Sequence, residues 1–125
     1  QKAISFTLKK KAKIATIDTL EDYRNLMKNY SKWAYPDEMK YKYNRLVINW
    51  DKLSKDYDAF HLTEDAFWSM RLPWDPDELT DVDGNYLENF YSYDCETWII
   101  FNLECINEGS ILNHSTGLKS CWNMA

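Results

Sequence analysis

The stretch that decides the fold is Tyr91-Ser-Tyr-Asp-Cys-Glu96-Thr-Trp98-Ile-Ile-Phe101-Asn-Leu-Glu-Cys-Ile106. Its middle, from Trp98 to Phe101, is the most apolar run in the chain and consists of β-branched and aromatic residues. Such a run is typical of a strand that is buried on both faces. Because Asp94 and Glu96 precede it, the pattern predicts a central strand with carboxylates at its entrance.

Helical and strand patterns alternate before this central strand. Asp18 and Glu21 have the spacing of a capping box, and apolar residues at helical spacing then predict a helix from Thr19 to Tyr30. Further predicted helices are Trp50 to Asp56 and Thr63 to Met70, and the predicted strands are Ile4 to Leu8, Ile14 to Ile17, Arg45 to Asn49 and Tyr57 to Leu62. Residues 31–42 and 107–125 are expected to be irregular.

These elements predict a single α+β domain over residues 1–125. Its mixed or mainly antiparallel sheet is expected to have a buried central strand near 97–103 and to pack against two or three helices. A chain of 125 residues is long enough to bury about two thirds of its unfolded surface in one core.

Cysteine usage and hydropathy bear on the location of the protein. The chain has three cysteines and no CxxC pair, which signals neither a disulfide framework nor a zinc site. If Cys95 and Cys105 flank one extended strand, they lie roughly 33 Å apart, too far to bridge. No apolar run approaches the roughly 18 residues of a membrane span. We therefore expect a cytoplasmic protein that does not enter a membrane.

Charge is divided unevenly along the chain. Residues 1–71 hold 14 Lys and Arg against 10 Asp and Glu, whereas residues 72–125 hold only Lys119 against 10 acids. This asymmetry concerns partners and solubility rather than fold. It indicates either a solvated acidic loop or an acidic surface for a basic partner, and its candidate contact residues are Asp75, Asp77, Glu78, Asp81 and Asp83.

The acidic segment also contains a sequence that suggests calcium. The run from Asp81 to Asn85 is Asp-Val-Asp-Gly-Asn, but Leu79 and Phe90 stand where an EF-hand needs ligands. A turn at Gly84 is therefore favoured, and we expect no metal. The Lys-rich segment that follows the first predicted strand has no interleaved aromatics, which disfavours nucleic acid as a partner.

The sequence lacks the common hydrolase and nucleotide-binding motifs. No GxSxG, P-loop or GxGxxG is present, and neither His61 nor His114 has a metal-ligand partner at helical spacing. Glu96 at the entrance of an apolar strand is the best candidate for chemistry, because a rigidly held carboxylate can act as a base or stabilise a cation. The alternative is an ordinary surface carboxylate.

The run from Glu96 to Ile106 resembles the last core strand of small ADP-ribosyltransferase-like domains, in which a catalytic acid precedes an apolar strand. Tyr57-Asp-Ala-Phe60 is similar to a tyrosine-aspartate segment of phage and bacterial members. His61-Leu-Thr63 is similar to the family's His-x-Thr motif, with Arg45 as an alternative for that residue. Leu103 replaces the usual proline, and a Ser-Thr-Ser strand is absent.

The resemblance implies transfer of ADP-ribose from NAD to a macromolecular acceptor, including in conflict between phages and their hosts. Glu96 would orient the nicotinamide ribose, and His61 or Arg45 would hold ribose or phosphate. Tyr57 or Trp98 would stack on nicotinamide. NAD is the one cofactor that this implies.

A different class of function is also open. A small acidic domain can mimic nucleic acid and inhibit a protein with a basic surface, with carboxylates taking the place of phosphates and Tyr or Trp side chains as anchors. Binding of this kind weakens steeply with salt.

Overall fold

The computed structural model describes residues 3–38, 44–70, 79–114 and 121–124. This part of the chain contains three α-helices, which are α1 (Leu20–Asn29), α2 (Trp50–Asp56) and α3 (Glu64–Met70). Its strands are β1 (Ala3–Ser5), β2 (Ile14–Ile17), β3 (Ser31–Trp33), β4 (Leu46–Ile48), β5 (Ala59–Leu62), β6 (Thr97–Ile100), β7 (Leu112–His114) and β8 (Cys121–Met124).

The largest sheet has four strands in the order β2, β5, β6, β8. Its pairing is mixed, because β5 and β6 are antiparallel whereas β2 with β5 and β6 with β8 are parallel. Two further sheets each pair two strands, β1 with β7 and β3 with β4. The α+β class and the mixed sheet are confirmed, and β6 lies inside the sheet as the apolar run predicts.

Alternate side chains of a strand point to opposite faces of the sheet. Both faces of the central sheet pack against other parts of the chain. On one face, Phe60 and Leu62 join the main core, whose other large members come from β2, β4, the helices and residues 79–90. On the other face, Ala59 and Ile100 pack with Cys105 and Ile106 in a second, smaller cluster. Strand β6 therefore has a core cluster on each face, with Thr97 and Ile100 buried and with Trp98 and Ile99 half-buried.

Helix α1 begins one residue later than the capping pattern predicts. The backbone N–H of Asp22 donates to the Thr19 hydroxyl, and the Asp22 carboxylate accepts from the N–H of Thr19. The expectation that Asp18 and Glu21 form the box is wrong, because the Asp18 carboxylate instead accepts the Thr63 hydroxyl at 2.6 Å. Asp18 thus ties the end of β2 to the start of α3.

Three short strands lie in segments that were expected to be irregular. Strand β3 pairs with β4, and β7 pairs with β1. Strand β8 adds to the edge of the main sheet beside β6. Strands of three or four residues carry little pattern of their own, and distant partners stabilise them.

The segment 79–90 contributes to the core, although it belongs to a stretch expected to be an acidic loop. Leu79, Leu87 and Phe90 are buried. The N–H of Leu46 donates to the carbonyl of Tyr86 at 2.8 Å. Buried side chains and backbone hydrogen bonds to Leu46 therefore hold this acidic segment against β4.

The turn at Gly84 is confirmed. Gly84 has a φ of 85°, a conformation that favours glycine. One carboxylate oxygen of Asp81 accepts the N–H groups of Asp83 and Asn85, and the other accepts the Asn85 side-chain amide. These hydrogen bonds hold the pKa of Asp81 below its usual value against an opposing effect of burial. The Asp81 carboxylate therefore stabilises the turn itself.

The cysteines differ from the expectation at one position. Cys95 is disulfide-bonded, whereas Cys105 is a buried free thiol, so the two are not bridged to each other. The sequence pattern does not signal this bridge, because a single disulfide requires neither a CxxC pair nor an even number of cysteines. A cytoplasmic location stays a prediction. No helix in the described ranges has the length and apolar character to cross a membrane.

Candidate functional site

Two strands of the central sheet bring His61 and Glu96 together. Strands β5 and β6 run antiparallel with His61 directly opposite Trp98. Glu96 lies two residues before Trp98, so both side chains are expected on the face that His61 shares. The His61 Nε2 atom and the Glu96 Oε2 atom are 2.6 Å apart, which is a short hydrogen bond and an ion pair when the imidazole is protonated.

The His61 ring also stacks on the indole of Trp98. The ring centroids are 3.8 Å apart and the planes differ by 10°. Trp98 in turn packs against the smaller core cluster around Ile100. The imidazole is therefore held at its edge by Glu96 and on one face by Trp98.

The pair lies at the surface of the sheet rather than inside the core. The His61 side chain is 16% exposed and the Glu96 side chain is 30% exposed. Thr16 of β2 lies opposite His61 in the register and is exposed. A ligand can therefore reach the site from solvent while the sheet keeps its backbone rigid.

The hydrogen bond fixes how the site can exchange protons. When the Glu96 carboxylate is ionised it only accepts hydrogen bonds, and Nε2 of His61 is then the donor in their contact. In the neutral imidazole, Nδ1 is then the acceptor atom. A carboxylate that orients an imidazole in this way is a recurring arrangement in acid–base catalysis. The site can hold a ribose hydroxyl, accept a proton, or place negative charge beside a developing cation.

Arg45 has a different environment from the His61–Glu96 pair. It directly precedes β4, in a separate two-stranded sheet. Burial raises the pKa values of Glu88 and Tyr23, and the positive charge of Arg45 offsets part of this rise. The structure does not bring Arg45 to the predicted site, and its cofactor-binding role stays a prediction.

Tyr57 lies at the other end of β5 from His61. Its ring contacts the Tyr30 ring edge-on, and the Lys13 Nζ atom lies 5.0 Å from its centroid. Tyr57 also lines an open cleft of roughly 620 Å³ that Lys11 and Lys55 share. Of the five predicted catalytic and cofactor residues, the structure therefore groups His61, Glu96 and Trp98.

The predicted acidic contact residues are only partly described. Asp75, Asp77 and Glu78 lie outside the described residues. Asp83 is exposed beside Val82, which is 72% exposed, whereas the Asp81 carboxylate is engaged within the turn. Asp83 is thus the described acid of this set that a partner can reach most directly.

Sequence reasoning missed the bond at Cys95, which is the residue next to Glu96. The Thr97 hydroxyl, on the other side of Glu96 in the chain, donates a hydrogen bond to the Cys95 carbonyl at 2.9 Å. A cysteine two residues before a strand is no signal by itself. The signal that was available is the odd cysteine count, which leaves open one pair and one free thiol.

Comparison of the chain with protein-family models, with curated proteins and with solved structures finds no match.

Proposed function

We propose that this protein binds NAD and transfers its ADP-ribose group to a macromolecular acceptor, with Glu96 and His61 at the reacting centre. The observation that carries the proposal is the 2.6 Å contact between the His61 and Glu96 side chains on the accessible part of the central sheet. Their family resemblance gives them these roles, and the strand register brings them together.

In the proposed reaction, the bond between the nicotinamide nitrogen and the ribose C1′ atom breaks, and its electron pair leaves with nicotinamide. The ribose then carries oxocarbenium-like positive charge, which the Glu96 carboxylate stabilises. The acceptor nucleophile bonds to C1′ and releases its proton to solvent or to Nδ1 of His61.

Trp98 has a supporting part in this proposal. One face of the His61 ring lies against the indole, so Trp98 fixes the ring plane while Glu96 fixes its rotation. Stacking of Trp98 on nicotinamide, as the resemblance implies, would need a surface of the indole that His61 leaves open. A cytoplasmic location and a part in phage–host conflict belong to the same proposal.

The test is release of nicotinamide from NAD, followed by transfer of label from adenine-labelled NAD to macromolecules of a bacterial lysate. Glu96→Gln keeps an acceptor oxygen for His61 but removes the charge. We expect it to lower the rate about 100-fold or more, with a change in unfolding free energy within about 1 kcal/mol. The matched control is Glu104→Gln, an exposed acid beyond the other end of β6.

A fully active Glu96→Gln variant would remove the proposed role of the carboxylate. Wild-type protein that releases no nicotinamide in the presence of acceptor would count against the reaction as a whole.

We also propose, as the second candidate, a non-enzymatic inhibitor that docks on a basic protein. The supporting observation is the ordered turn that presents Asp83 and Val82 to solvent. Asp83→Asn is expected to weaken a complex of this type and to reduce its salt dependence, without loss of stability. A pull-down with a basic target at two salt concentrations measures this, and a salt-insensitive complex would contradict it.

A further inference from the structure

The cysteines of this chain occupy different chemical states. Cys95 is in a disulfide, while Cys105 is a free thiol with 4% of its surface exposed. Burial raises the pKa of the Cys105 thiol, which keeps it in the unreactive protonated form. The chain has three cysteines, so Cys121 is the one left for an intramolecular bond with Cys95.

The backbone of the central sheet is compatible with this pairing. Strand β8 runs parallel to β6, and Cys121 lies opposite Thr97 in their register. Cys95 is two residues before Thr97, in a bend at the entrance of β6. Cys121 therefore begins β8 at the same end of the sheet where Cys95 leads into β6.

We propose that a Cys95–Cys121 disulfide joins β8 to the entrance of β6 and that it positions the Glu96 carboxylate for its hydrogen bond with His61. Glu96 lies between the proposed bridge at Cys95 and the strand pairing that begins at Thr97. On one side is the bonded Cys95, and on the other is buried Thr97, which pairs with Leu62 and with Cys121. The part of the proposal that concerns catalysis rests on the proposed function, whereas the pairing does not.

The bond forms by exchange with a small disulfide such as oxidised glutathione. One thiolate of the protein attacks the reagent and displaces one thiolate from it. The second protein thiolate then attacks the mixed disulfide and releases the other. Two protein thiols are oxidised and the reagent is reduced to two thiols. A bridge of this kind persists in oxidising compartments, whereas in the cytoplasm it is transient and depends on the redox state.

To test the pairing, the protein is first refolded with oxidised glutathione. It is then denatured and alkylated, in one sample without reduction and in another after reduction. We expect one alkylated cysteine, Cys105, before reduction and three after it, and a peptide that links Cys95 to Cys121. Three alkylated cysteines before reduction would overturn the proposal. So would a Cys95 that is linked to a second chain.

The positioning role is tested with a Cys95→Ala, Cys121→Ala double variant beside a Cys105→Ala control. We expect the Nε2-bound proton of His61 to give a slowly exchanging NMR signal in the wild type and in the control, and to be lost from the double variant while sheet amide signals persist. An unchanged signal in the double variant would overturn the positioning role. This readout does not depend on NAD, so it separates failure of the bridge from failure of the transferase proposal.

Discussion

Arg45 and Glu88 interact electrostatically at a place away from the candidate site. Burial raises the pKa of the Glu88 carboxyl, and the positive charge of Arg45 lowers it in part. The same segment is tied to α1, because the Tyr23 hydroxyl donates to the Glu88 carbonyl at 2.6 Å. Arg45 therefore has a structural task that its sequence pattern does not show.

Arg45→Gln is expected to destabilise the protein in a pH-dependent way. Without Arg45, the pKa of Glu88 rises further in the folded state, so more stability is lost as the pH rises through that value. The free energy of unfolding should fall by about 1 kcal/mol at pH 7 and change little near pH 4. Urea unfolding at both pH values measures this, with Lys32→Gln on neighbouring β3 as the control.

An equal loss of stability at both pH values would contradict the electrostatic role of Arg45. Loss of NAD binding in a variant that remains folded would support the cofactor role that the resemblance implies. The two roles are therefore separable in one protein.

The site residues themselves could be predicted in part from the sequence. Glu96 at the entrance of the apolar run and His61 in the strand before it were both identified as candidates, and Trp98 follows Glu96 by the two residues that share a face. Their contact could not be predicted, because register is set by tertiary pairing. A slip of one residue would place His61 on the opposite face from Glu96.

At the scale of secondary structure, the helices and the apolar strands follow their local patterns, and the polar three-residue strands do not. Strand β2 and helix α2 have the predicted bounds, and α1 and α3 differ by a residue at their ends. Strands β3 and β7 were missed because each has three residues and is stabilised by its partner, β4 or β1. Local propensity contributes too little over that length to identify them.

Helix α1 offers a direct test of its observed start. Thr19→Ala removes the acceptor for the N–H of Asp22 and is expected to lower the free energy of unfolding by about 1 kcal/mol. Asn25→Ala, on an exposed position of the same helix, is the control and should be neutral or stabilising. Chemical denaturation measures both. A neutral Thr19→Ala variant would contradict the capping box.

At the scale of the whole molecule, the central sheet explains why one place is both rigid and accessible. Its buried faces pack on the helices and on residues around Cys105 and Ile106. On the face that carries His61 and Trp98, these side chains are only half-buried. The apolar run predicts the burial, but the position where the cover ends depends on residues far away in the sequence.

The edge of this sheet could not be predicted for a similar reason. Strand β8 lies in a segment rich in polar residues, and its place beside β6 depends on a parallel pairing across more than twenty residues. A disulfide at Cys95 adds a constraint that neither hydropathy nor charge indicates. The polar tail is therefore part of the central sheet.

The most direct test of the central claim is calorimetric titration of NAD into the wild type, Glu96→Gln and Glu104→Gln. The account predicts binding of micromolar to sub-millimolar affinity by the wild type, which is about −5 to −8 kcal/mol. The Glu104→Gln control should match it, and Glu96→Gln should show a clearly altered affinity or enthalpy, because the proposal places the Glu96 carboxylate against the nicotinamide ribose. The absence of binding heat with all three folded proteins would contradict the account and favour the acidic inhibitor.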